Sequence, residues 1–168
     1  MRLPPTIFAD AESDPEIRIR VEGKGSFQNS PALKEFSQRM IETGRRDFIV
    51  DLQNCSTMDS TFMGTLAGIA MRIRDAGGGN LWVVNRNERN AELLAGLGLD
   101  ALFSEKPIPV GLNGDKGQAI IDHADKAAIR QVMRDAHEAC VAANPANASK
   151  FKDVIEYLKA SAAEDPSS

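Results

Sequence analysis

Residues 48–70 read FIVDLQNCSTMDSTFMGTLAGIA, and this stretch decides the fold. Residues 47–52 are nearly all apolar, which is typical of a strand buried on both faces of a sheet. Residues 54–59 are polar and predict a loop, and residues 60–76 predict a helix. The apolar stripe of this helix recurs at helical spacing and consists of Phe62, Leu66, Ile69 and Ile73. Its opposite side carries small and polar residues, namely Thr61, Thr65, Gly68, Arg72 and Asp75.

The neighbouring segments repeat this strand and helix alternation. Residues 17–21 (IRIRV) alternate as a half-buried strand, residues 81–84 (LWVV) form another buried strand, and residues 6–9 form a short edge strand. One helix starts at Ser30 before Pro31, and a shorter one is capped by Asn85 or Asn87. Helices between successive buried strands predict right-handed crossovers. We therefore expect an α/β domain over residues 1–105, with a mixed, largely parallel sheet of four to five strands.

The remaining third of the chain is different in character. Residues 106–117 form a connector rich in proline and glycine, in which residues 108–110 are a candidate edge strand. Residues 118–168 are predicted as a C-terminal helical extension. Its two helices are expected from about Lys116 to residue 143 and over residues 148–160. This hairpin would pack on the sheet domain or on a second copy of the chain, so a homodimer remains open.

Composition excludes several classes of function. The 168 residues carry a net charge of −4 without a run of Lys or Arg, which argues against nucleic-acid binding. No stretch of eighteen apolar residues predicts a membrane span, and the first residues do not form a signal peptide. Cys55 and Cys140 are far apart and are interpreted as reduced core thiols. We therefore expect a cytoplasmic protein.

The usual signs of an enzyme are missing from the sequence. Three glycines at residues 77–79 follow a helix and precede a strand, whereas nucleotide-binding loops follow a strand and open a helix. His123 and His137 lie among alanines and charged residues and are interpreted as solvated helix positions. His137 and Cys140 supply too few ligands for a metal, and nothing local activates Cys55. We expect neither a catalytic residue, nor a metal, nor a cofactor.

Asp59, Ser60 and Thr61 stand where the central helix begins, at free backbone N–H groups and the positive end of the helix dipole. A phosphate on Ser60 would be tolerated there and would add about two negative charges at an exposed surface point. Phosphorylation would then switch a binding surface without unfolding the domain. The simpler explanation is that Asp59 or Ser60 is an ordinary N-cap, because most helices have one.

The order of these segments resembles the STAS family, the sulphate-transporter and anti-sigma-antagonist domain. The family pattern is an apolar strand ending in Asp-Leu, a short loop, Asp-Ser-Ser/Thr, and then Gly-Leu-Gly with a leucine. The matching positions are Asp51-Leu52, Asp59-Ser60-Thr61, Phe62-Met63-Gly64 and Leu66. Residues 23–36 (GKGSFQNSPALKEF), 81–85 (LWVVN) and 91–103 (AELLAGLGLDALF) also fit, so the resemblance covers about residues 15–104. Two positions depart from the pattern, since the family often has aspartate at Gln28 and glycine at Phe62.

The resemblance implies an anti-sigma-factor antagonist. Such a protein, when unmodified, binds a serine kinase of the histidine-kinase-like ATPase fold that otherwise sequesters a sigma factor. Phosphorylation of the serine ends the association until a serine phosphatase restores it. The corresponding serine is Ser60, and the residues expected to line the partner surface are Met58, Asp59, Thr61, Phe62, Met63 and Gly64. Packing in the core is the alternative for Phe62 and Met63.

Two other classes of function compete with this interpretation. A STAS scaffold subunit of a larger regulatory or transport complex would need no phosphorylation, and the C-terminal hairpin would supply it with additional surface. An enzymatic or ligand-binding α/β domain is the third class, but it lacks a cofactor loop and paired titratable groups.

Overall fold

The computed structural model describes residues 6–12, 15–105, 107, 117–120 and 124–164. Within these residues the chain forms seven strands and five α-helices. The strands are β1 (Ile7–Asp10), β2 (Ile17–Val21), β3 (Gly23–Gly25), β4 (Asp47–Asp51), β5 (Cys55–Met58), β6 (Asn80–Val84) and β7 (Gln118–Ala119). The helices are α1 (Ser30–Glu42), α2 (Ser60–Asp75), α3 (Glu88–Gly96), α4 (Lys126–Ala143) and α5 (Asn147–Glu164), with a short 3-10 turn at Asp100–Leu102.

The main sheet has five strands in the order β6-β4-β2-β1-β7. Strands β2, β4 and β6 are parallel. The apolar runs of β4 and β6 are buried between layers, whereas β2 alternates buried and half-buried residues. Strand β1 pairs antiparallel with β2, and β7 pairs antiparallel with β1. The predicted mixed, largely parallel α/β sheet with a C-terminal helical pair is therefore confirmed.

The apolar stripe of α2 packs into the core against the sheet. Phe62, Leu66, Ile69 and Ile73 are all buried, together with Phe48 and Val50 of β4 and Leu81 and Val83 of β6. The helix ends where the chain turns through residues 77–79, whose three glycines all have positive φ. A side chain at Gly79 would also overlap the backbone of Arg46, so the close passage of two chain segments requires glycine here.

Residues 54–59, predicted as a polar loop, contain strand β5, and that prediction was wrong. Cys55 and Met58 are buried, and β5 pairs in parallel with β3 as a separate two-stranded sheet. The backbone of Gly23–Gly25 provides the partner for this pairing. Backbone pairing of so short a segment leaves little trace in side-chain periodicity.

The start of the first C-terminal helix was also predicted wrongly. Helix α4 begins at Lys126, with the Asp125 carboxylate accepting a hydrogen bond from the Ala128 N–H, about ten residues later than expected. Upstream of it, Gln118 and Ala119 extend the sheet edge as β7. The candidate strand at residues 108–110 lies outside the described residues. At α1, Asn29 occupies the N-cap position, and the Ser30 hydroxyl donates to the Ser26 carbonyl instead of capping.

A buried ion pair links the first two parallel strands. The Arg18 guanidinium lies 2.7 Å from the Asp51 carboxylate, which also accepts from the Asn85 amide at 2.9 Å. A third hydrogen bond comes from the backbone N–H of Gln53. Burial by itself raises the pKa of Asp51, but these donors and the charge of Arg18 outweigh burial, so the pKa lies below its usual value of 3.8.

We predict that Asp51→Asn lowers the free energy of unfolding by about 3 kcal/mol near neutral pH, because a buried guanidinium loses its counter-charge. The carboxylate's pKa is lower in the folded than in the unfolded state. Its stabilisation is therefore complete above about pH 4 and is lost as the pH falls through the folded-state value. Urea unfolding at several pH values measures this difference, with Asp75→Asn, at an exposed position, as the control. A difference that stays constant down to about pH 2 would contradict the assignment.

Candidate functional site

Asp59 fixes the geometry at the start of α2. Its Oδ1 accepts a hydrogen bond from the Phe62 N–H at 2.9 Å, so it is the N-cap of the helix. Its Oδ2 accepts from the backbone N–H of Phe27 at 2.9 Å, and its own N–H donates to the Gly25 carbonyl. One carboxylate therefore ties the loop between β3 and α1 to the helix N-terminus.

Ser60 is the first residue of α2 and is half-buried. Its Oγ lies 2.8 Å from Nε2 of His137 on α4, a residue 77 positions further along the chain. The His137 Nδ1 lies 2.6 Å from the Met133 carbonyl oxygen, which can only accept, so Nδ1 carries a hydrogen. In the neutral imidazole Nε2 is then an acceptor, and the Ser60 hydroxyl donates to it.

His137 was predicted to be a solvated helix position, and that prediction was wrong. The residue is only 3% exposed, and its ring meets that of Phe151 on α5 edge-on at 4.8 Å. Sequence reasoning missed it because a histidine among alanines and charges looks the same on a solvated face as on a packed one. The available signal was the row of small residues beside it at 136, 139 and 140, which suits a close helix contact.

The side of α2 opposite its apolar stripe lies under α4. Thr61 and Thr65 are buried there, and a Cβ built on Gly64 would overlap the backbone carbonyl of Ala136. One turn later, a Cβ on Gly68 would meet only the Ala139 Cβ at 3.9 Å, an ordinary contact. Glycine at position 64 therefore allows α4 to approach α2 closely.

Three further polar contacts hold the helical pair in place. The Lys34 ammonium on α1 lies 2.6 Å from the Asp135 carboxylate on α4. The amide of Asn147, at the start of α5, donates to the Leu97 carbonyl at 2.9 Å, and Lys150 donates to the Gly96 carbonyl. The pair therefore rests on α1, on α2 and on the end of α3.

The predicted site residues are brought together but differ in accessibility. Only Asp59 and Ser60 are half-buried, whereas the others are buried, namely Met58, Thr61, Phe62, Met63 and Gly64. The Phe62 ring lies against β3 so closely that a Cβ on Gly25 would come within 2.7 Å of it. For Phe62 and Met63 the structure shows the core packing that was the alternative. The loop that Asp59 ties to the start of α2 contributes exposed side chains, those of Phe27 and Gln28.

Among the described residues, the two cysteines and the metal-ligating side chains form no further candidate site. Cys55 and Cys140 are free and buried, as predicted for core thiols. In the part of the chain that the structure describes, no cluster of His, Cys, Asp or Glu has a metal-binding arrangement. Nor does any helix among the described residues combine the length and the apolar character that crossing a membrane requires.

Comparison with known proteins identifies this architecture. The model of the STAS domain family matches residues 9–113, which is more than half of the chain. Among solved structures, the chain is similar to TM1081 of Thermotoga maritima, a proposed anti-sigma factor antagonist, at 20% identity and a TM-score of 0.50 over 54% of this chain and 77% of that one. A second structure of TM1081 is 17% identical to this chain, with a TM-score of 0.52, and the match covers 61% of this chain and 81% of TM1081.

SpoIIAA of Bacillus in its phosphorylated form matches at 16% identity and a TM-score of 0.49, over 58% of this chain and 88% of that one. Among curated proteins, none matches the chain. At these identities, the likeness to TM1081 shows a shared fold. Helices α4 and α5 lie beyond the residues matched by the family model.

We predict that Phe62→Ala lowers the free energy of unfolding by about 3–5 kcal/mol, because it empties a fully buried aromatic site. Phe27→Ala is the matched control, since Phe27 is 40% exposed and its removal should change stability by less than about 0.5 kcal/mol. Urea unfolding measures both variants. A loss below about 1 kcal/mol for Phe62→Ala would contradict its place in the core.

Proposed function

Because the chain belongs to the STAS domain family, we propose that it is an anti-sigma-factor antagonist switched by phosphorylation of Ser60. The unmodified protein binds a serine kinase that acts as anti-sigma factor and has the histidine-kinase-like ATPase fold. Phosphorylation of Ser60 releases the kinase, and a serine phosphatase restores the binding form. The observation that carries this proposal is the placement of Ser60 as the first residue of α2, directly after a capping aspartate.

The chemistry of the helix N-terminus supports phosphorylation at this position. Asp59 already satisfies the N–H groups of Phe62 and Phe27, so the cap does not depend on the Ser60 hydroxyl. Among the described residues, the N–H groups of Ser60 and Thr61 have no acceptor, as expected for a first helical turn. These N–H groups and the helix dipole would stabilise a phosphate of about two negative charges, so the fold should tolerate the modification.

The partner surface is proposed around Ser60. Asp59 and Ser60 reach the surface, and exposed Phe27 and Gln28 extend it. Met58, Phe62 and Met63 would contribute by supporting Ser60 from the core, while Thr61 and Gly64 lie on the part of α2 covered by α4. An exposed aromatic side chain such as Phe27 is suited to a protein interface. The description of TM1081 as a proposed anti-sigma factor antagonist supports the same class of function.

A second candidate function is a STAS scaffold subunit that is not phosphorylated. The observation in its favour is that the Ser60 hydroxyl is half-buried and already bonded to His137, instead of standing at a fully exposed point as expected. In either case we propose a cytoplasmic binding protein without catalytic activity, because both functions consist of binding another protein.

We predict that the purified full-length chain, incubated with ATP and serine kinases of the histidine-kinase-like ATPase fold, takes up phosphate on Ser60. Peptide mass spectrometry locates the phosphate. Ser60→Ala should abolish the incorporation, whereas Ser56→Ala should leave it unchanged, because Ser56 is an exposed serine four positions away on β5. Stable binding of a kinase by Ser60→Ala without any phosphate on the parent chain would favour the scaffold.

A further inference from the structure

The hydrogen bond between Ser60 and His137 has a consequence for phosphorylation. We propose that the α4–α5 pair, defined here as the C-terminal hairpin, is a removable cover that must leave α2 before Ser60 is presented to a kinase. This inference rests on the proposed function, because it assigns the regulation of the same serine.

The first argument is steric. In phosphoryl transfer, a bond forms between the Ser60 oxygen and the γ-phosphorus of ATP while the bond from that phosphorus to the ADP oxygen breaks in line with it, and the hydroxyl proton passes to a base of the kinase. In the docked state that oxygen is 2.8 Å from the His137 ring, and the ring itself is buried between α2 and Phe151. A kinase active site must also enclose the residues beside the serine, and Thr61 and Gly64 lie beneath α4.

The second argument is that the cover is separate from the domain that carries Ser60. The family model ends at residue 113, before the hairpin begins, so the family's domain is defined without these two helices. The hairpin supplies no strand to either sheet. Its departure would leave the β2, β4 and β6 pairing and the packing of the α2 stripe on the sheet in place, and would remove Cys140 from the core cluster that it shares with them.

The third argument is the composition of the interface between α2 and α4. Gly64 lies against Ala136 and Gly68 lies near Ala139, so at these two crossing points little apolar side-chain area is buried. The ion pair of Lys34 with Asp135 is partly exposed, with 26% and 39% of the two side chains accessible, and such pairs contribute at most about 1 kcal/mol. Small side chains and a partly exposed ion pair are suited to a contact that forms and opens.

The chain contains its own reporters for opening. Cys140 on α4 is completely buried, and burial raises its pKa to about 11, so it reacts slowly while the hairpin is docked. Cys55 is buried within the α/β domain, and it becomes reactive when that domain unfolds. Ser60→Cys adds a third thiol at the covered position.

Two glycines in α2 provide matched variants. Gly64→Ala introduces a methyl group that overlaps the Ala136 carbonyl and should release α4, although alanine favours the helix itself by about 1 kcal/mol. Gly68→Ala makes the same change one turn later without an overlap. Both are made in the full-length Ser60→Cys chain, so the comparison isolates the close approach.

We predict that iodoacetamide at about pH 9, where an ordinary thiol is largely ionised, labels position 60 and Cys140 much faster in Gly64→Ala than in Gly68→Ala. The expected ratio is at least about tenfold, because the labelling rate follows the population of the open state, while Cys55 stays protected in both. Peptide mass spectrometry measures all three sites. Release of Cys140 in Gly64→Ala without faster labelling of position 60 would overturn the cover, and if neither position is released the urea titration of the Ser60→Cys chain decides.

Gly64→Ala could unfold the whole chain and expose Cys55. For that case the test is a urea titration of a chain without either glycine substitution. In the Ser60→Cys chain, position 60 and Cys140 should become reactive together at lower urea than Cys55. The proposal fails if position 60 is freely reactive without urea, or if it becomes reactive only together with Cys55.

The rate of Ser60 phosphorylation by a kinase then distinguishes a failure of this inference from a failure of the proposed function. With Ser60 intact, Gly64→Ala should be phosphorylated at least about tenfold faster than Gly68→Ala. Slower phosphorylation of Gly64→Ala would overturn the cover, because docked α4 would then assist the transfer. If no kinase modifies either variant, the proposed function is contradicted, and the thiol labelling alone decides the cover.

Discussion

The close approach of α4 to α2 at Gly64 determines what the rest of this surface can do. A side chain at that position would overlap the Ala136 carbonyl, so only glycine lets the two helices meet there. Because α2 already packs on the sheet through Phe62, Leu66 and Ile73, the second contact leaves it buried on two sides. At the N-terminal end of α2, Asp59 and half-buried Ser60 still reach the surface.

Ser60 is held by contacts from several directions. Asp59 anchors the backbone on both sides of the junction, and the Phe62 ring fills the space against Gly25 beneath it. The Ser60 hydroxyl therefore lies on a rigid helix end. Packing of that end in the core sets the position of the hydroxyl, and α4 sets how far it is exposed. In a related domain without these two helices, the same serine would lack the contact with His137. The extension thus adds control of access to a site whose geometry the α/β domain already provides.

Much of the fold could be predicted because its main strands have strong local patterns. The alternation in residues 17–21 and the apolar runs in residues 47–51 and 81–84 indicate their burial directly. Strands β3, β5 and β7 were missed because they are two to four residues long and are stabilised by backbone pairing with distant segments. The late start of α4 has the same cause, since Gln118 and Ala119 pair with β1 instead of continuing a helix.

By itself the sequence determined that α2 begins after Asp59, that Ser60 stands at its N-terminus, and that one apolar stripe faces the core. These features depend on residues within one or two helical turns of each other, so local chemistry is sufficient. Only the tertiary structure decided whether the other side of α2 is exposed to water or packed against α4. Glycine, alanine and threonine are equally compatible with water and with a closely packed helix. The contact of Ser60 with His137 joins residues 77 positions apart, and no local pattern encodes such a pairing.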